Sequence, residues 1–320
     1  MEHLPYQKTD IDEIYLPGKA IKIFCKRDDR FSGAYGGSKA RMLKYILFPI
    51  KEKGTELILT AGGPCSNFNR ALSVYCAEMN MRLRIVSYTD HSEQYESSLN
   101  YHITRLMGAE YVYCDKNSVP AVIQKEKEKL EDERCQYEYL YGGAEGNIAG
   151  INAYYDAVAE LKEQVEGIKY IFLPCGTGTT TSGICAGLQD FFPDAKLHAI
   201  SIARDWNAER SVLEKNILQL NDQTGKKYTL NNLFFHDDFL SGGYSHSSEK
   251  IEQTISEVAR VSGMILDPIY SGKAFWGMMN ILEDMGETVP ISNGEILFWN
   301  TGGMINYLSA LRCQKKEFND

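Results

Sequence analysis

The strongest constraint on the fold is the order in which short β-rich runs alternate with helical patterns. ELILTAGG (56–63), LRIVSYT (83–89), AEYVYC (109–114), EYLYGG (138–143), YIFLPCG (170–176) and LHAISIA (197–203) read as strands. KARMLKYILFPIKEKG, NRALSVYCAEMNM, NAYYDAVAELKEQV and SSEKIEQTISEVARVSG carry helical spacing, and KNSVPAVIQKEKEKLEDER reads as a solvated helix. Alternation of this kind predicts an α/β fold with mostly parallel sheets covered by helices. Pro49 is expected to kink the first helix or end it early, and Gly54 suits its stop. There is no internal repeat, and no stretch has the length and composition of a disordered linker. Any division into domains must therefore be made by crossing segments.

Composition narrows the function classes. The net charge of −9 on 320 residues disfavours nucleic acid as a partner, because that affinity comes mainly from neutralising phosphates with Lys and Arg. No apolar run reaches 18 residues, so no membrane span is expected. The start, MEHLPYQKTDIDE, is polar and lacks the apolar core of a signal peptide. The eight cysteines contain no C-x-x-C pair, which suits buried thiols in a reducing cytoplasm rather than disulfides or zinc. The six histidines include no H-E-x-x-H, and no metal site is expected.

Four segments combine glycines with hydroxyl or amide side chains between a strand-like and a helix-like run: TAGGPCSNFNRA, LYGGAEGNIAG, LPCGTGTTTSGICAGL and FWNTGGMINY. In open α/β sheets, ligands bind beyond the carboxyl ends of the strands. One such turn is ordinary; four suggest a shared pocket. In the third, Gly176 and Gly178 let the backbone bend closely, and Thr177, Thr179, Thr180 and Thr181 follow at a helix start. Free N–H groups and the helix dipole favour a phosphate there. A G-x-G-x-x-G fingerprint would need glycine at Thr181, so a phosphate monoester fits better than a pyrophosphate. A structural turn capped by threonine is an equal alternative at this point. Ser66, in the first turn, can cap a helix whose N–H groups hold a carboxylate, or can be only a cap.

A lysine completes the set. In SGAYGGSKARMLKYI, Lys39 stands in the first turn of a helix, where the macrodipole disfavours a cation. A phosphate cradle, a carboxylate cradle and a lysine are what pyridoxal phosphate (PLP) needs. The phosphate anchors it, the lysine forms an imine with its aldehyde, and an amino acid arrives as substrate.

These motifs, taken in order, resemble the fold-type II PLP enzymes, in particular the branch containing D-cysteine desulfhydrase and 1-aminocyclopropane-1-carboxylate (ACC) deaminase. The resemblance covers nearly the whole chain. KRDD followed by GGSKARML resembles the family's start and places the imine-forming role on Lys39. GGPCSNFNRA places a substrate-contacting role on Ser66 and a contact to the cofactor's ring hydroxyl on Asn67. CGTGTTTSG, from Cys175 through Gly176, Thr177, Gly178, Thr179 and Thr180, resembles the phosphate loop. The segment GGYSHSSEK to DPIYSGKAFWGM resembles the one with two active-site tyrosines, Tyr244 and Tyr270, and FWNTGG places Thr301 beneath the pyridine nitrogen. The implied fold is two open, twisted, mostly parallel sheets with flanking helices, like the tryptophan synthase β chain. Residues 45–152 would form a smaller substrate-side domain, and residues 1–44 with 153–320 a larger PLP-binding one. A homodimer is also implied.

The resemblance implies a cytoplasmic lyase or deaminase acting on a small amino acid. Ser271 and Thr301 match the desulfhydrase-like pair, whereas ACC deaminases look like they carry glutamate and leucine there. The expected reaction is β-elimination from D-cysteine, giving sulfide, pyruvate and ammonia. Ser38, Pro64, Cys65, Thr179, Thr180 and Asn300 depart from the family's usual residues and are expected to line the site. Lys273, in YSGK, is the competing lysine. The alternatives are ACC ring opening, elimination or replacement on another β-substituted amino acid such as cysteate, a PLP-binding protein without turnover, and a nucleotide-binding oxidoreductase.

Overall fold

Two sheets divide the strands by sequence position. The structure, a computed structural model, describes residues 8–19, 21–89, 92–243, 246–286 and 292–316. In chain order the strands are β1 (Ile11–Tyr15), β2 (Lys22–Arg27), β3 (Leu57–Ala61), β4 (Arg82–Ser87), β5 (Glu110–Tyr113), β6 (Tyr137–Tyr139), β7 (Tyr170–Cys175), β8 (Lys196–Ser201), β9 (Leu233–His236) and β10 (Ile296–Asn300). The larger sheet runs β1-β2-β10-β7-β8-β9, the smaller β5-β4-β3-β6. Every pairing is parallel except the β1–β2 hairpin. The chain belongs to the α/β class expected from its alternation. The middle strands β7 and β10 are buried along their whole length, which is why YIFLPC and ILFWN read as continuous apolar runs rather than alternating ones.

All six strand-like runs form strands, β3 to β8. The six runs leave out β1, β2, β9 and β10, of which β10 is implied by the strand-like run before its glycine-rich turn. β2 reads KIFCKR, and its Lys26 and Arg27 are buried in ion pairs, so the charges disguise a strand. β9 is a four-residue edge strand. The first helix corrects part of an expectation: it runs from Ser38 to Glu52 with Pro49 inside it, so Pro49 does not end it. Pro49 is exposed and three residues from the helix end, so the lost hydrogen bond to the carbonyl four residues back falls in the last two turns. The two sheets share a core, since one apolar cluster joins Ile58, Leu83 and Ile85 of the smaller sheet to Ile171, Leu173, Leu197 and Leu297 of the larger. The turns that follow β2, β3, β6, β7 and β10 meet at one cavity at the carboxyl ends of both sheets.

Candidate active site

The cavity encloses about 1040 Å³ and brings together Lys39, Ser66, Asn67, Gly176, Thr177, Gly178, Thr180, Tyr270 and Thr301. Lys39 is the second residue of its helix and half-buried. Its Nζ donates to the carbonyl of Gly143 at 3.2 Å, and no ion pair with a carboxylate forms among the described residues. Burial therefore lowers its pKa to about 8. The glycines before it answer a steric demand. A Cβ on Gly36 would stand 2.0 Å from the Asp29 carbonyl oxygen, and one on Gly37 would stand 3.0 Å from that of Thr301. Gly37 donates to Asp28 O at 2.7 Å and Ser38 to Thr301 O at 2.9 Å. The lysine turn is thus laid directly on the turn that follows β10.

The loop after β7 leaves an open helix start. Gly178 is the N-cap of helix Thr179–Phe191, with φ 73°, and no side chain caps it. The first N–H groups of a helix have no partner within it, and this helix start forms part of the cavity wall through Gly176, Thr177, Gly178 and Thr180. Cys175 and Thr179 stand apart from the rest of the loop. Cys175 is buried with its Sγ 3.5 Å from Glu209 Oε1, and the Thr179 hydroxyl donates to Ala144 O at 2.9 Å. Neither side chain lines the cavity.

Ser66 is both cap and cavity wall. It caps helix Asn67–Glu78 by accepting from Asn69 N at 3.1 Å, and that bond leaves its own proton to donate. Asn67 Oδ1 accepts from Asn100 Nδ2 at 3.0 Å. Asn100 Nδ2 also lies 2.8 Å from Asn306 Oδ1 in helix Met304–Lys316. Tyr270 is half-buried at the wall, and its N–H donates to Asp267 Oδ2 at 3.1 Å. Tyr244 lies outside the described residues. Thr301 lines the cavity at the first position after β10.

Several sequence expectations are relocated. Ser271 does not face the cavity. It is fully buried, and its hydroxyl and N–H both bond the Asp267 carboxylate at 2.8 Å. Asn300 is also fully buried, accepting from Gly302 N at 3.1 Å beneath the Thr301 turn. Ser38, Pro64, Cys65 and Thr180 do line the cavity. Lys273 is buried with Nζ donating to Leu240 O at 2.8 Å and Gly243 O at 3.0 Å, away from the cavity wall.

Sequence reasoning passed over several charged or titratable wall residues. Arg70, Glu145, Arg204 and His246 line the cavity, and Arg204 joins Glu145 at 2.6 Å and the buried Glu209 at 3.2 Å. Arg70 and Glu145 sat within the quoted glycine-rich motifs, but nothing in the spacing distinguishes a lining charge from a surface one. His246 sat within the quoted GGYSHSSEK segment without being singled out, and Arg204 carried no motif. Lysine and arginine supply five lining residues, Lys39, Arg70, Lys116, Lys127 and Arg204, against one carboxylate, Glu145. An acidic protein therefore opens a basic cavity, suited to a phosphate and a carboxylate.

The donor set fits PLP. The uncapped helix start would take the phosphate, the Lys39 amine the aldehyde, Asn67 the ring hydroxyl and Thr301 the ring nitrogen. Fold and cavity together define a PLP enzyme of the parallel-sheet type. The profile of the pyridoxal-phosphate dependent enzyme family matches residues 6–302, and the chain belongs to that family. Among solved structures it is similar to an ACC deaminase homologue, at 25% identity over 96% of this chain and 94% of that one, with a TM-score of 0.84. A hydrogen sulfide-producing enzyme from Fusobacterium nucleatum shares the fold at 16% identity over 93% and 96% of the two chains, TM-score 0.66. So does a serine racemase from Dictyostelium discoideum, at 18% identity, 93% of each chain and TM-score 0.62. No described helix is long and apolar enough to cross a membrane.

Proposed function

We propose that the chain is a PLP-dependent lyase that eliminates the β-substituent of a small amino acid, with D-cysteine converted to sulfide, pyruvate and ammonia. The observation that carries this reading is Lys39: a half-buried amine with a lowered pKa, in the same cavity as an uncapped helix start. When bound, PLP supplies an aldehyde that condenses with amines and a ring that accepts electrons from Cα. Lys39 holds the cofactor and later takes the Cα proton on Nζ. It can do so only unprotonated, and burial brings its pKa close enough to neutrality for that state to be populated. Ser66 and the N–H groups at the start of helix Asn67–Glu78 grip the substrate carboxylate. The Tyr270 phenol delivers a proton to the departing sulfur. Thr301 meets the ring nitrogen as a neutral partner, which suits elimination because the leaving group carries the electrons away. Residues 45–152 act as the substrate-side domain. Homodimer formation and a cytoplasmic location belong to the same reading.

A second reading, ACC deamination, is favoured by the likeness to an ACC deaminase homologue. The burial of Ser271 removes one of the two residues that had argued against it. Incubating the PLP-loaded protein with D-cysteine, L-cysteine and ACC separates the two. Sulfide and pyruvate from D-cysteine, with little 2-oxobutyrate from ACC, is the expected outcome. Robust 2-oxobutyrate formation would overturn the elimination reading.

A further inference from the structure

We propose that Arg70 is a positioning residue that holds Lys39 at the cavity through the left-handed turn Gly33–Gly37. The turn is unusual. Five successive residues have positive φ: Gly33 at 110°, Ala34 at 43°, Tyr35 at 59°, Gly36 at 77° and Gly37 at 93°. Two of them, Ala34 and Tyr35, carry side chains, which disfavour that region. Strained backbone persists only where its surroundings over-determine it, and such stretches cluster at functional sites. This one ends one residue before the helix whose second residue is Lys39.

The restraint comes from the helix that begins at the carboxylate cradle. Arg70 is 4% exposed. Its Nη1 donates to Ala34 O, and its Nη2 to Gly36 O at 3.4 Å. The planar fork of an arginine suits two carbonyls of one turn as a lysine's point charge does not. From the same helix, the Tyr75 hydroxyl packs so tightly on the turn that a Cβ on Gly33 would stand 2.5 Å away. Arg70 forms no ion pair with a carboxylate among the described residues, and its Nε is buried without a hydrogen bond. Burial lowers its pKa to about 10. A buried guanidinium left without an anion is costly as a purely structural device. Among the described residues it bonds only the turn that launches Lys39, and it also lines the cavity. Helix Asn67–Glu78 therefore carries Ser66 and Asn67 at its start and the restraint on Lys39 one turn later, so the two cradles are set relative to each other by one element.

This inference rests on the reading of Lys39 as the cofactor lysine, and its test is made on cofactor-free protein so that the two can fail separately. Trace acetylation across a pH series, read by peptide mass mapping, reports the titration of Lys39 directly. The expected parent midpoint is near pH 8. In Arg70→Gln the loosened turn lets water reach the amine. The midpoint rises by about one unit, and labelling at pH 8 falls about fivefold. Arg70→Lys, which keeps the charge and loses the fork, moves it in the same direction and serves if the glutamine variant does not fold. Adding Tyr35→Gly to either variant returns the midpoint towards the parent, because glycine takes positive φ without strain and Tyr35 is 62% exposed. A midpoint unmoved in folded Arg70 variants, with only the melting temperature lowered, would overturn the proposal. So would a shift that Tyr35→Gly leaves unchanged. If the cofactor proved to be attached elsewhere, the functional reading would fall, and the labelling would still decide Arg70.

Discussion

Two residues of one helix, Lys39 and Arg41, carry the same charge into two different interiors. Arg41 is fully buried and meets Asp28 and Glu160, each at 2.8 Å. Lys26 joins Glu160, and Tyr154 and Trp299 donate to Asp28 at 2.8 and 3.0 Å. Two cations and two carboxylates balance, so Asp28 and Glu160 stay below the ordinary carboxylate range and Arg41 stays charged. On the cavity side, Lys39 meets a carbonyl and, among the described residues, no carboxylate, and its pKa falls to about 8. Burial alone makes neither a structural nor a chemical group. The presence or absence of a facing carboxylate decides between them.

The largest contrast is in turnover. Lys39→Ala should lower kcat at least about a thousandfold, as expected when a group acting on the reacting atoms is removed, while the urea midpoint hardly falls. A matching loss of stability would place Lys39 with Arg41. Next comes Arg41→Met, which strands Asp28 as a buried anion and leaves Glu160 with Lys26 alone, and should cost about 3–5 kcal/mol in urea titrations. The fraction that remains folded should still bind cofactor. The tetrad's contribution is fully present above the ordinary carboxylate pKa, about 4, and is lost as pH falls below it. An acid limb in the parent that Arg41→Met leaves unchanged would break the assignment.

A third prediction opposes the two residues in sign. A base whose folded pKa lies below its unfolded one costs stability wherever folding must bury its charge. For Lys39 that cost is full below about pH 8 and fades as pH rises to the unfolded value of about 10.4. Lys39→Met should therefore stabilise the cofactor-free protein at pH 7 by about 1–3 kcal/mol, with the gain gone near pH 10.5. Equal stability at both pH values would show that the amine is solvated. A fourth concerns the phosphate cradle. Thr177→Asp sets a carboxylate where the helix start attracts a dianion and should weaken PLP retention about tenfold or more; dialysis against buffer measures it.

The smallest effect concerns Ser271, and it shows where sequence reading stopped. The alternating runs and glycine-rich turns exposed the parallel sheets and the shared pocket, because apolar burial and backbone close approach leave marks on composition. The role of Ser271 left no such mark. Its position beside Tyr270 suggested a hand in specificity, but its hydroxyl belongs to the buried Asp267 carboxylate. Ser271→Ala should cost about 1 kcal/mol of stability and leave the ratio of D-cysteine to ACC turnover within about twofold; a large change in that ratio would return Ser271 to the site. The same blindness hid β2, because nothing local in KIFCKR shows that Lys26 and Arg27 are buried in ion pairs. It also hid Arg70, whose significance lies in which carbonyls it meets. Tertiary pairing decides such residues, and no local pattern records it.

The most direct test asks which lysine carries the cofactor. Borohydride reduction of the PLP-loaded protein, followed by peptide mass mapping, should find the pyridoxyl group on Lys39, the amine whose wall is shared with the open helix start. Its recovery on Lys273, the buried lysine that donates to Leu240 O and Gly243 O, would contradict the account.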